Sequence, residues 1–197
     1  MNETNRRILV IDDNVAIHDD FRKILCRGRG KQDDILDAFF DESGPRGDDE
    51  PAFEFEIDSA MQGSDGLRMV SEAQAAGRPY AMAFVDMRMP PGWDGLETIQ
   101  RIWAGYPDLQ VVICTAYSDR SWAEIIASLG ESDQLVILKK PFDPVEARQL
   151  AIALTKKWRL TQQARLRLFQ ANQIIATVVT RSRYHIGSLS ETGKRLT

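Results

Sequence analysis

Four short, almost continuously apolar runs constrain this chain more than any other feature: Arg6 to Ile11 (RRILVI), Tyr80 to Val85, Val111 to Cys114 and Leu135 to Leu138. Each stops abruptly at polar residues. Runs of this length are too short for buried helices, and the absence of apolar/polar alternation suits strands covered on both faces, as in a parallel sheet. Helical patterns separate the runs. Alternating strands and helices joined by right-handed crossovers give an α/β, doubly wound parallel sheet.

The residues that end the runs carry the chemistry. Arg6–Ile11 ends in the adjacent acids Asp12-Asp13, Tyr80–Val85 in Asp86-Met87-Arg88-Met89-Pro90-Pro91-Gly92-Trp93-Asp94-Gly95, Val111–Cys114 in Thr115-Ala116, and Leu135–Leu138 in Lys139-Lys140-Pro141-Phe142. In open α/β sheets, ligands bind at the carboxyl ends of the strands, where loops from several strands meet over one crevice. Taken singly, Asp86 reads as a turn or cap residue, Thr115 as a capping hydroxyl and Lys140 as a solvated charge. Together they set three carboxylates, a hydroxyl and an ammonium along one sheet edge.

The remaining elements follow from periodicity and caps. Asn14 can cap a first helix with apolar positions Val15, Ile17, Phe21, Ile24 and Leu25, ending near Arg27-Gly28. Gly28 to Pro51 holds eight acids and the Gly-Pro-Arg-Gly and Asp-Asp-Glu-Pro turns, and reads as an acidic surface insertion. Phe53, Phe55 and Ile57 alternate with Glu54, Glu56 and Asp58, the period of a half-exposed strand at a sheet edge. Ser64 can cap a second helix (Leu67, Met69, Val70) that ends at Gly77-Arg78-Pro79. A third helix presents Leu96, Ile99, Ile102 and Trp103 and stops at Gly105 and Pro107, and a fourth runs from Asp119 to Leu129 with Trp122, Ile125, Ile126 and Leu129 inward. A fifth starts near Pro144 and meets no Gly or Pro before Thr180, so one long helix is predicted; Leu154, Trp158, Leu168, Ile175 and Val179 line a seam interrupted by Thr161, Arg165 and Asn172. Beyond Gly187 the tail reads as disordered.

This set of motifs, in this order, resembles the receiver domain of two-component response regulators (the CheY-like superfamily) over about residues 6 to 155. The acidic pair, the D-x-x-M-P segment, Thr-Ala and Lys-Pro occur jointly, which is far more specific than any one motif. The resemblance implies a flavodoxin-like five-stranded sheet of order 2-1-3-4-5. It implies residues 1–155 as the receiver, with its insertion at about 28–51, while the charge balance and the unbroken helical pattern leave 156–197 as a basic helical extension with a disordered tail. It also implies that Asp86 accepts a phosphoryl group from a histidine kinase, a phosphotransfer protein or a small phosphodonor. Three crowded carboxylates need a cation, and Mg²⁺, a hard ion with oxygen ligands, suits them. By the resemblance Asp13 and Asp86 bind it directly, Asp12 through water, and the Arg88 backbone carbonyl completes the set. Lys140 and Mg²⁺ offset charge on the transferring oxygens, and Thr115 turns inward to the new phosphoryl group.

Three positions depart from the family pattern. The switch position three residues before Lys140, often aromatic in the family, is Ile137; Arg88 is long and cationic beside the nucleophile; and the Pro-Pro-Gly-Trp loop is one residue longer than the common form, exposing Trp93.

Charge and composition bound the alternatives. Residues 1–155 carry 16 Lys+Arg against 28 Asp+Glu, whereas 156–197 carry 9 against 1. The head is acidic and the tail basic, yet no nucleic-acid reading motif accompanies the tail, so nucleic acid is not an expected partner. No apolar run approaches the ~20 residues that span a bilayer, and the amino terminus has no signal-peptide pattern, so no membrane insertion and a cytoplasmic location are expected. Cys26 and Cys114 have no metal or redox spacing, and His18 and His185 stand alone. A hydrolytic phosphatase would want D-x-D at the first strand, where here the acids are adjacent. Self-phosphorylation and dephosphorylation are the only catalysis expected. The alternatives are a constitutive interaction module, or the amino-terminal receiver of a larger effector such as a nucleotide cyclase or hybrid kinase; a homodimer through the long helix is compatible with each.

Overall fold

The computed structural model describes residues 5–26, 55–116 and 120–192, with side chains through residue 173. The chain divides into two compact units, Met1–Arg159 and Leu160–Thr197. The first contains a five-stranded parallel sheet of order β2-β1-β3-β4-β5, as expected. Its strands are β1 (Arg7–Ile11), β2 (Glu56–Ala60), β3 (Met82–Asp86), β4 (Gln110–Thr115) and β5 (Leu135–Lys139). The helices are α1 (Val15–Cys26), α2 (Gly63–Ala75), α3 (Gly95–Gly105), α4 (Trp122–Leu129) and α5 (Pro144–Thr192).

Period-two side-chain alternation splits the core across the two sheet faces. Leu9, Ile11, Ala83, Val85, Val111 and Ile113 pack with Val70 of α2, Leu96, Ile99 and Ile102 of α3 and Ile125 of α4. Ile8, Val10, Met82, Phe84, Val112, Cys114 and Leu138 pack on the other face with Phe21 and Leu25 of α1 and Ala147, Ala151 and Ile152 of α5. Because both faces are covered, the inner positions of β1, β3 and β4 are continuously apolar, with polar residues only at the strand ends, and this is what makes them conspicuous in the sequence. Edge strand β2 is the exception. It lies at Glu56–Ala60, shifted past the expected Phe53–Asp58 alternation, and Phe55 caps its start as a buried residue.

Several local expectations need correction. Gln62, not Ser64, precedes α2, because the helix begins at Gly63, so Ser64 lies in its exposed first turn. Helix α4 starts at Trp122 rather than Asp119: Ser121 and Glu124 form a reciprocal capping box that fixes the start. Asp119 itself lies outside the described residues, as do Phe53 and the insertion at 28–51. Val15 and Trp122, expected inward, are 61% and 55% exposed, since each is the first residue of its helix and projects beyond the sheet. The first compact unit runs to Arg159; Ile152, Leu154 and Thr155 are buried in it and the Lys157 ammonium pairs with Asp133 at 2.9 Å. Helix α5 continues through Gly187 to Thr192, where a disordered tail was expected; a single helical Gly costs only about 1 kcal/mol and does not by itself stop a helix. Among the described residues, no helix is long and apolar enough to cross a membrane.

Candidate phosphoryl-acceptor site

Register brings the strand ends to one level. Ile11 pairs with Val85, so Asp12 sits level with Asp86, and Asp86 pairs with Cys114, which pairs with Leu138. Thr115 therefore lies one residue past that level and Lys140 two. The Lys140 amide donates to the Thr115 carbonyl at 2.8 Å and the Met87 amide to the Cys114 carbonyl at 2.9 Å, extending the ladder into the loops.

Lys140 is the centre of the polar cluster. Its ammonium crosses the end of β4 to donate to Asp86 Oδ1 at 2.7 Å and Asp12 Oδ2 at 2.8 Å. The other Asp86 oxygen, Oδ2, accepts from the Arg88 amide at 3.0 Å. Asp12 Oδ1 accepts from the Asn14 amide at 2.9 Å, the Asp12 amide donates to Ala60 O at 3.1 Å, and the Asp12 carbonyl accepts from His18 Nε2 at 2.7 Å. Ligand atoms of Asp12, Asp13 and Asp86 all lie within 4.8 Å of one another. A donor set made of three carboxylates fits a hard divalent cation that takes oxygen ligands.

The electrostatics are those of crowded acids in a partly dry site. Burial pushes the Asp86 carboxyl above its ordinary value; Lys140 works against that shift and the nearby Asp12 charge adds to it. Burial by itself would lower the Lys140 ammonium, but its bonds to Asp12 and Asp86 outweigh this and raise it, so Lys140 stays charged at neutral pH.

The candidate residues other than Ile137, which lies inside β5, are at this edge, with differing contacts. Thr115 is buried, but its hydroxyl donates to the Ala116 carbonyl at 3.0 Å rather than to the carboxylates. Ile137 is half-buried against the α2–α4 core cluster. The Arg88 side chain is exposed. Trp93, expected to be exposed, is half-buried with the Arg101 guanidinium 4.2 Å from its ring centre, because the loop folds back on α3. Sequence reasoning missed His18, on the apolar stripe of α1, and Gly95. A Cβ on Gly95 would lie 2.4 Å from Asp86 O, so only glycine lets α3 start so close to the loop. The Asp-Gly pair before an apolar helical pattern was a usable signal for the α3 start: Asp94 Oδ1 accepts from the Glu97 amide at 2.8 Å.

A family model described as the response regulator receiver domain matches residues 50–152, more than half of the chain. The chain belongs to the response regulator receiver family. The match contains Asp86, Thr115 and Lys140, while Asp12 and Asp13 precede it; the fold returns them to the site by inserting β1 between β2 and β3. Among solved structures, the adenylate cyclase from Rhodopirellula baltica is 22% identical with a TM-score of 0.60, over 83% of this chain and 97% of that one. A response regulator receiver protein from Sinorhizobium medicae is 20% identical with a TM-score of 0.51, over 78% and 95%. The signal receiver domain of a putative Luxo repressor protein from Vibrio parahaemolyticus is 15% identical with a TM-score of 0.56, over 81% and 97%. At such identities the likeness establishes the receiver fold. No curated protein matches the chain.

Proposed function

We propose that this receiver is a phosphorylation-dependent switch whose acceptor is Asp86. The observation that carries the reading is the Lys140 ammonium held between Asp86 and Asp12 beside a third carboxylate. Asp13, Asp86 and the Arg88 backbone carbonyl would hold Mg²⁺ directly, with Asp12 acting through water. When bound, the ion supplies positive charge that offsets the carboxylates and the phosphoryl oxygens.

An Asp86 carboxylate oxygen attacks phosphorus, forming an O–P bond as the P–N bond of a phosphohistidine breaks; the imidazole leaves with the electron pair and is protonated from solvent. Lys140 is already placed to neutralise charge that moves onto the transferring oxygens, so its contribution is preorganised electrostatics. Thr115 must exchange its bond to the Ala116 carbonyl for one to the phosphoryl group, and that exchange would move the loop after β4. With Ile137 in place of an aromatic residue, the movement would be passed on by backbone and α4 rather than by a ring changing rotamer. The donor would be a histidine kinase or phosphotransfer protein, the usual partners of receivers, and the proposed compartment is the cytoplasm. Cys26 and Cys114, neither in a disulfide, support a reducing compartment.

Incubation with a small phosphodonor and Mg²⁺ tests the assignment: intact mass should rise by one phosphoryl group, and Asp86→Asn should abolish the increase. Unchanged incorporation in Asp86→Asn would refute it.

A second reading concerns the output. In the second unit, Leu160, Leu166, Leu168 and Phe169 are exposed large apolar side chains on a helix. They are apolar surface that pairing of α5 with a second copy would cover. A monomeric mass by light scattering, with and without a beryllofluoride mimic, would count against the pairing.

A further inference from the structure

Helix α1 turns His18, Phe21 and Leu25 toward the sheet at helical spacing, and all three are buried. Two of them are what such a stripe calls for. The third is an imidazole, only 2% exposed, with Nδ1 lacking a hydrogen-bond partner among the described residues. Leaving a buried nitrogen unpaired costs about 1–3 kcal/mol, so an aliphatic residue would pack there at lower cost unless the other nitrogen has a task. That other nitrogen, Nε2, lies 2.7 Å from the Asp12 carbonyl oxygen, and since a carbonyl can only accept, Nε2 carries the proton.

The bonded carbonyl matters because of its place in the chain. β1 ends at Ile11, and the Asp12 amide still finds a partner in Ala60 O, the last residue of β2. His18 supplies the donor to the carbonyl beyond the paired stretch. The Asp12 amide, in the Ile11–Asp12 peptide, is held by Ala60 O, and the Asp12 carbonyl, in the planar Asp12–Asp13 peptide, is held by His18; with both peptide planes flanking Asp12 held, the direction in which Asp13 leaves the strand is set. Asp13 is one of the three clustered carboxylates, and Asp12 is bonded to Lys140.

We infer that His18 is a positioning residue: through the Asp12 carbonyl it sets the orientation of the acidic pair, and with it the affinity of the site for a divalent cation. This rests on the metal-assisted reading of the site given above. Partners that orient metal ligands from one shell out typically change metal affinity by about 10- to 100-fold when removed. A purely structural histidine would lower stability and leave affinity alone.

The test is calorimetric titration of the full chain with Mg²⁺, beside thermal melts. His18→Leu should weaken Mg²⁺ binding by about 10- to 100-fold. His18→Gln, whose amide nitrogen can stand where Nε2 stands, should bind within about threefold of the parent, a factor worth under 1 kcal/mol. Should His18→Leu fail to fold, His18→Asn replaces it: its amide reaches only to the height of Nδ1, so it should show the weakened binding that His18→Gln does not. Equal affinity in the Leu or Asn variant and the parent, with or without a lower Tm, overturns the inference, and so does a Gln variant as weak as Leu. Asp13→Asn separates the two levels. If the parent binds no Mg²⁺, or Asp13→Asn binds as the parent does, the metal reading fails and takes this inference with it. Loss in Asp13→Asn with full affinity in His18→Leu sinks the inference alone.

Discussion

Gly95→Ala is the sharpest test of how α3 and the acceptor loop are joined. An added Cβ would lie 2.4 Å from the Asp86 carbonyl oxygen and 3.0 Å from Met87 Cα, and both are backbone atoms that no rotamer change can move away. The Gly95 amide also donates to the Met87 carbonyl at 3.0 Å, so the helix start cannot retreat without losing that bond. Unstrained contacts of carbon atoms sit near about 3.5 Å, so the loop or the helix must shift by roughly 1 Å. Overpacking of this kind costs about 1–3 kcal/mol. At about 2–4 °C per kcal/mol for a chain of this size, Tm should fall by roughly 2–12 °C. The residue displaced is the proposed acceptor itself, and a misplacement of about 1 Å can cost on the order of 10²-fold in rate, so phosphorylation by a small phosphodonor should slow far more than stability falls. Gly105→Ala, at the other end of the same helix, is the control. Nothing lies within 4 Å of its added Cβ and its φ is not positive, so alanine there should be neutral or stabilise by up to about 1 kcal/mol. Scanning calorimetry and phosphorylation rates on the two variants decide the matter. If Gly95→Ala melts and reacts like Gly105→Ala, the close approach described here is wrong.

Three further outcomes follow from the same structure. Asp13→Asn removes one of three mutually repelling carboxylates, so without metal it should be more stable than the parent by about 0.5–2 kcal/mol, while the Tm increase that Mg²⁺ gives the parent should vanish; calorimetry with and without Mg²⁺ reads both. The Tyr80 phenol is raised above its ordinary value of 10.0, chiefly by burial and then by its bond to Asp58. Its stabilising share is therefore complete below pH 10.0 and is lost as pH rises toward the folded value, so above pH 10.0 Tm should fall more steeply in the parent than in Tyr80→Phe. Burial likewise raises the Cys114 thiol far above the thiol range, so a thiol reagent at mildly alkaline pH should label Cys114 only after denaturation; peptide masses showing native labelling would contradict this.

The sequence by itself determined the strands and the edge at which they would act. Strands covered on both faces favour continuous apolar stretches, so β1, β3 and β4 appear as apolar runs, edge strand β5 adds a fourth, and the polar residues that follow them gather at the carboxyl edge. Asp86, Thr115 and Lys140 could be named for that reason. The joint motifs then implied the strand order, which the sheet has. Helix ends were less legible: Val15 and Trp122 fit the apolar period, yet they project into solvent, because periodicity gives a face but not where the sheet beneath it stops. Three features came only with the tertiary structure. Lys140 reaches across β4 to acids on β1 and β3, His18 finds the Asp12 carbonyl, and Gly95 lies against the carbonyl of Asp86. Lys140 meets partners remote in the chain, whereas His18 and Gly95 meet residues only a few positions away; in each case the distance is set by strand register and helix seating, and local pattern carries no record of it.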